Sequence, residues 1–246
     1  MNIVGVIPAR WSSKRFPGKP LVMIKGKSMI QRVYEQAKKS KLINRIIIAT
    51  DDKRIFDEVI RFGGEVMMTS KKHKTGTDRI SEVIKNIDGE IIVNIQGDEP
   101  YINPNTIDET VKALMTDDET VKALMTDDEA VVSTPIIKIS DLKVIKNPNV
   151  VKAIRNTKGY AIYFSRSEIP FKREKSKTEY YKHLGLYVYR KDFLMKLVKM
   201  KQTNAEKSES LEQLRILENG YKIKTVIVKR ESQSIDTPSD LKKLHG

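Results

Sequence analysis

Along the first hundred residues, short apolar runs alternate with amphipathic stretches. Ile3, Val4, Val6 and Ile7 form one such run, Arg45–Thr50 (RIIIAT) a second and Glu90–Ile95 a third. Runs of this length without polar alternation read as strands covered on both faces, and Pro8 is expected to end the first. Between the strands, Ser28 and Gln31 read as a capping-box pair opening a helix to about Lys39, with Met29, Ile30, Val33 and Ala37 on its apolar side. Asp51–Phe62 reads as a second helix stopped by Gly63 and Gly64, Glu65–Met68 as a short strand, and the stretch from Thr77 or Asp78 toward Ile87 as a third helix. This alternation predicts an α/β fold with a doubly wound, mostly parallel sheet.

From about Ile136 the rhythm lapses. Val150–Arg155, a turn at Thr157–Gly159 and Tyr160–Arg166 read as a hairpin, and Tyr180–Arg190 as a further strand. A smaller antiparallel subdomain over 136–190 is therefore expected within a single domain spanning 1–246, placed to cover a ligand and to pair subunits. Helices over 191–200 and 208–219, a strand over 222–228 and a short helix from Pro238 return the chain to its first architecture. One feature breaks the pattern: DETVKALMTD occurs twice in tandem at 108–127. Ten residues turn a helix by about 1000°, about 80° short of three turns, so the copies cannot face one core alike. A peripheral duplication on the surface, away from any site, is expected.

At 246 residues and 39% hydrophobic content the chain can build a sizeable core. No apolar run approaches the roughly 18 residues of a membrane span, and the chain enters a strand at once without export features. Cysteine is absent, which removes disulfides, thiolate metal sites and cysteine nucleophiles. A cytoplasmic protein without membrane attachment is the expectation. The net charge of +14 raises a nucleic-acid-binding protein as the alternative of a different class. The lysines are dispersed, with no aromatic-interleaved basic repeat, so the excess reads as solvated surface and no nucleic-acid partner is expected.

Charge matters more where it clusters. After the first strand, Pro8 and Ala9 lead into a loop carrying Arg10, Lys14, Arg15 and Lys19 among small residues. A loop beyond the carboxyl end of a parallel strand is where α/β sheets hold ligands, and these cations suit a triphosphate. They would equally suit a solvated basic loop, and the glycine spacing fits neither of the usual phosphate loops. In KHKTGTDR (72–79), Thr75, Gly76 and Arg79 offer hydroxyl, amide and guanidinium groups to a base or phosphate, with simple helix capping as the competing account. Gln96-Gly97-Asp98-Glu99-Pro100 ends the most apolar strand, and Asp236 precedes a Thr-Pro-Ser-Asp helix start. Asp98 and Asp236 on two such loops suit Mg²⁺, which takes one or two carboxylates plus phosphate oxygens; a strand-end turn and a spare cap residue remain the plain alternatives.

Ile7–Leu21 (IPARWSSKRFPGKPL), GDEP and the DTP turn, with YFSRSEIP (163–170), HLGLYVYR (183–190) and LEQLRIL (211–217), follow one another as in the 3-deoxy-D-manno-octulosonate cytidylyltransferases. The chain resembles that family over nearly its whole length. The resemblance implies a nucleotidyltransferase joining CTP to Kdo or a close ulosonic acid, with pyrophosphate released, Mg²⁺ on Asp98 and Asp236, and a homodimer. It implies Gln96, Arg166, His183, Tyr187, Glu212 and Gln213 on the sugar side, where Arg166 would pair with the acid's carboxylate. Arg10 and Lys19, with the two aspartates, would carry the catalysis. Another sugar acid, an amino-substituted Kdo, or UTP stays open, because the motifs do not fix every hydroxyl of the acceptor.

Overall fold

Val4, Val6 and Ile7 are wholly buried in the first strand, β1 (Ile3–Ala9), which lies in the middle of a parallel sheet. The computed structural model describes residues 1–12, 16–115, 130–173 and 178–243. The chain divides into two compact units, Met1–Asp108 with Ser232–Gly246, and Glu109–Glu231.

In the first unit β1 is followed by a 3₁₀ turn (Lys19–Leu21), a small hairpin of β2 (Met23–Ile24) and β3 (Lys27–Ser28), and helix α1 (Met29–Ala37). Then come β4 (Arg45–Thr50), α2 (Lys53–Arg61), β5 (Val66–Met68), α3 (Gly76–Ile84), β6 (Ile91–Asn94) and α4 (Pro104–Lys112). The strands stand in the order β5-β4-β1-β6, each pair parallel. This is the doubly wound α/β arrangement expected from the alternation of runs. Two local expectations change. Pro8 does not end β1: the strand runs on to Ala9 because Pro8 pairs only toward β4, opposite Ala49, while pairing with β6 stops at Val6. A proline is tolerated where no ladder donor is required. At α1, Ser28 Oγ accepts from Gln31 N at 3.4 Å, but the Gln31 side chain bonds Glu35 at 3.0 Å, so only half of the capping box forms.

The second unit is organised on β7 (Ala130–Ile139). After it come α5 (Leu142–Lys146), the antiparallel pair β8 (Lys152–Arg155) and β9 (Ala161–Ser165), β10 (Tyr180–His183) and β11 (Tyr187–Arg190). Helices α6 (Lys191–Leu197), α7 (Asn204–Glu209) and α8 (Gln213–Glu218) precede β12 (Lys222–Ile227). β12 lies parallel to β7, whereas β10 and β11 both lie antiparallel to it. Pairing continues from β10 to β8 and β9, and a bridge between Tyr160 and Lys224 returns to β12. The expected strand Tyr180–Arg190 is thus broken, and Pro135 explains the break. Its carbonyl accepts from Leu184 N at 3.0 Å, so the side of β7 that faces Leu184 is the side on which proline lacks a donor. The chain separates there, and the Leu186 carbonyl takes the Thr134 hydroxyl at 2.7 Å instead.

The single helix expected over 208–219 is likewise two, α7 and α8, parted at Ser210 with φ 53. A buried pair, Arg215 Nε on Glu206 at 2.8 Å, ties them together. The first copy of the repeated decapeptide, described to Met115, is buried on one side, while Glu109 and Lys112 are exposed. Asp108, Thr110, Val111 and Leu114 are buried, and Asp108 accepts from the backbone of Lys41 and Leu42. The second copy, at 118–127, lies outside the described residues. The closing helix α9 (Pro238–Lys243) belongs to the first unit.

Candidate active site

The first unit carries a cleft of about 270 Å³ at the carboxyl ends of its strands, walled by Pro8, Ala9, Arg10, Lys19, Thr75, Gly76, Arg79, Gln96, Asp98 and Asp236. Residues far apart in the chain meet there because glycines allow backbone to approach. A Cβ on Gly97 would stand 3.0 Å from the Pro8 carbonyl, and one on Gly76 would stand 3.3 Å from the Pro8 ring. Arg15 lies outside the described residues.

The centre of the cleft is a charge triad. Lys19 Nζ donates to Asp98 Oδ2 at 2.7 Å and to Asp236 Oδ1 at 3.3 Å. Backbone holds these loops in place: Ile235 N donates to the Asp98 carbonyl at 2.9 Å. Beneath them Ile24, Met29 and Ile235 form a buried cluster against Phe16, Tyr101 and Leu241. The α9 start caps as expected, with Asp240 N on Thr237 Oγ1 at 3.3 Å and Thr237 N on Asp240 Oδ2 at 2.9 Å, so Asp236 is not used as the cap. Two hard carboxylates drawn onto one cation fit a magnesium ion, which would complete its shell with water and ligand oxygens. Among the described residues no larger cluster of His, Asp or Glu could hold a metal.

Thr75 and Asp78 close a full capping box at the start of α3, with Asp78 N on Thr75 Oγ1 at 3.0 Å and Thr75 N on Asp78 Oδ2 at 3.1 Å. The N-terminal end of this nine-residue helix therefore stands at the cleft wall, where its dipole favours anionic or acceptor groups. Arg79 is buried and bonds Asp51 Oδ2 at 2.8 Å and the Thr69 hydroxyl, so its guanidinium braces the wall from inside. His73 also lines the cleft and pairs with Glu82, which accepts from Ser70 N at 3.0 Å. That backbone bond first, then His73, lowers the Glu82 carboxyl below its ordinary range.

The second unit holds the remaining predicted residues in two groups. His183 is buried between Phe164, at 5.0 Å between centroids, and Tyr187, at 5.3 Å. Its Nε2 bonds the Thr134 hydroxyl at 2.8 Å; since that hydroxyl donates to Leu186, the imidazole is the donor. Burial lowers the His183 pKa to about 3, so the ring is neutral. Burial, then the Glu212 carboxylate, pushes the Tyr187 phenol up and keeps it protonated. Next to Glu212, Gln213 is only 4% exposed, and its Nε2 finds no partner among the described residues. An orphaned buried donor costs about 1–3 kcal/mol unless a ligand satisfies it.

The other group surrounds Arg166. Arg166 Nε donates to the Glu209 carbonyl at 2.7 Å, Nη1 to the Pro148 carbonyl at 3.2 Å, and its backbone N to Glu209 Oε2 at 2.9 Å. Lys152, wholly buried, donates to the carbonyls of Arg166, Asn147 and Val150. With Nε engaged, the end of the guanidinium that carries Nη2 is the edge available to a carboxylate.

A family model described as cytidylyltransferase matches residues 4–223. The chain belongs to that family. Within the cytidylyltransferases it is 47% identical to the 3-deoxy-manno-octulosonate cytidylyltransferase of Geobacter sulfurreducens, over 99% of this chain and 98% of the relative. It is also 47% identical to the enzyme of that name from Geotalea uraniireducens, with the same shares covered. The solved structure of CMP:2-keto-3-deoxy-manno-octonic acid synthetase complexed with CTP matches at a TM-score of 0.90 and 39% identity, covering 99% of this chain and 97% of that one.

For a cytidylyltransferase cleft, sequence reasoning missed Lys74, which lines the wall beside Thr75, although its place in KHKTGTDR was visible. It also missed Lys152 and Glu209. A lone lysine inside the apolar stretch VVKAI was the available signal for the first; Glu209, in KSESLEQL, carried none.

Proposed function

We propose that the protein activates Kdo or a closely related ulosonic acid with CTP, giving the CMP-sugar and pyrophosphate. The observation that carries this reading is the meeting of Lys19, Asp98 and Asp236 in one cleft, in a chain of the cytidylyltransferase family. The anomeric hydroxyl of the acid attacks the α-phosphorus of CTP and gives up its proton to water; a phosphorus–oxygen bond forms there while the α–β bridging bond breaks, and the electron pair leaves with pyrophosphate. Arg10 and Lys19 neutralise the β- and γ-phosphates as charge moves onto them. Thr75 and Gly76, at the helix start, face the base or its ribose. Asp98 and Asp236 would hold Mg²⁺, which supplies charge neutralisation at the α-phosphate.

Acceptor recognition rests on the second unit. Arg166 pairs with the acid's carboxylate, and neutral His183, protonated Tyr187, Glu212 and the Gln213 amide, whose Nε2 has no partner among the described residues, meet the hydroxyls. A homodimer, a cytoplasmic setting and a product used for lipopolysaccharide-type glycans belong to the same reading, and the family resemblance is their support. A pyrophosphate-release assay over a panel of nucleotides and sugar acids tests it. Release with CTP and a 2-ulosonic acid, absent with either alone, is expected; turnover confined to neutral sugar phosphates would overturn it.

A further inference from the structure

The Lys19 ammonium group is shared by two carboxylates from separate loops, Asp98 and Asp236. Its distances of 2.7 Å to Asp98 and 3.3 Å to Asp236 are those of a bridging ion rather than of a loose surface pair. The side chain is 14% exposed, against 25% for Asp98 and 38% for Asp236, so water screens the charges only in part. Without a cation, the two carboxylates would repel one another. With Lys19 in place they converge on one point, and that point is where a divalent cation would have to sit.

The main chain at Lys19 is held by the turn, and its side chain by the two ion pairs. Lys19 opens the 3₁₀ turn over a buried Pro20, Val22 N donates to its carbonyl at 3.2 Å, and α1 follows from Met29. From this anchor the four-carbon stem can carry the ammonium elsewhere along the same cleft. A divalent ion on the same two carboxylates would stand against a positive charge, so the two occupants exclude each other. A triphosphate in the cleft offers the ammonium a partner with more negative charge than either aspartate.

We propose that Lys19 occupies the divalent-cation position between Asp98 and Asp236 while the cleft lacks nucleotide, and yields it only when phosphate oxygens take its ammonium. Nucleotide and metal then bind together, and the aspartate pair is kept converged in the meantime. This rests on the reading of Asp98 and Asp236 as the metal-holding pair and adds an order of binding to it.

The probe is Mn²⁺ alone, titrated into the full chain without nucleotide, with the free ion counted by its paramagnetic resonance signal. Lys19→Met is expected to bind Mn²⁺ at least about tenfold more tightly than the unaltered protein, because a competing charge at contact distance is gone. Lys19→Arg, which keeps the charge, should stay as weak as the unaltered protein, and adding Asp98→Asn to Lys19→Met should remove the gain. A folded Lys19→Met, judged by a cooperative melt, that binds no more tightly overturns the proposal. Should that variant fail to fold, the unaltered protein still decides: Mn²⁺ should bind weakly alone and tightly with CTP, and tight binding without CTP overturns the proposal. If CTP brings in no Mn²⁺ either, the metal assignment fails and takes the proposal with it; if CTP does so but Lys19→Met shows no gain, only the exchange fails.

Discussion

The two units place their candidate residues in opposite physical settings. In the first, charged groups stand on loops at the carboxyl ends of parallel strands, partly open to water, and are joined by contacts between distant parts of the chain: Lys19 with Asp98 and Asp236, Ile235 with Asp98. In the second, His183 sits within β10, Gln213 opens α8 and both are buried; His183 is held neutral by burial and the Gln213 amide is uncharged. Loops beyond a sheet can gather charge without desolvating it, which suits phosphates and a metal. Buried uncharged groups such as His183 and Gln213 cannot stabilise a developing charge in the same way, but they disfavour molecules that leave their donors unpaired. On the proposed function, this contrast gives the chemistry to the first unit and the selection to the second.

The largest expected effect breaks the first side of that contrast. Asp98→Asn or Asp236→Asn should lower turnover on the order of a thousandfold, as loss of a transition-state electrostatic contact does, with the fold intact by circular dichroism. Unchanged turnover in both would remove these carboxylates from the chemistry. Next comes the support of Arg166. Glu209→Ala removes the carboxylate that accepts from Ser165 and the Arg166 backbone, and should raise the KM for the acid roughly tenfold while leaving that for CTP unaltered. Glu209→Gln, which keeps one acceptor oxygen, should recover part of the loss; equal changes for both substrates would make Glu209 a general structural residue.

Two smaller effects sharpen the selective side. Gln213→Leu removes the orphaned buried amide and should raise unfolding stability by about 1 kcal/mol in denaturant while weakening use of the acid. A variant less stable than the parent would mean the amide is satisfied in the folded protein. His183 gives a pH signature. Because burial holds the folded imidazole neutral to about 3, against an ordinary 6.5, the unfolded chain takes up the proton first and stability falls as pH drops through that window. The slope is at most about 1.4 kcal/mol per pH unit, and it should flatten in His183→Asn when denaturant midpoints are compared between neutral pH and about pH 5.

The contrast also explains what could be read from residues alone. β1, β4 and β6 stood out because strands covered on both faces need uninterrupted apolar side chains, whereas α3 begins ahead of the expected Thr77 or Asp78, because Thr75 is its cap and Asp78 closes the box from the third position. β7 escaped because Ser133, Thr134 and Pro135 interrupt its pattern; only the partner strands show that Thr134 satisfies the carbonyl Pro135 cannot. The α7–α8 break falls at Ser210, and the buried Glu206–Arg215 pair that holds the two helices together is announced by no local pattern. Charged loop residues such as Lys19, Asp98 and Asp236 could be picked out singly, since charge at a strand end is conspicuous. Lys152 and Glu209 could not, because their role comes from which carbonyls and amides the fold brings to them.

The division of labour between the units is tested most directly by steady-state kinetics with both substrates varied, run in parallel on Lys19→Ala and Arg166→Lys. Lys19→Ala should lower kcat/KM for CTP on the order of a hundredfold and leave the KM for the acid nearly unchanged, while Arg166→Lys should do the reverse. Losses shared equally between CTP and acid in both variants would contradict it.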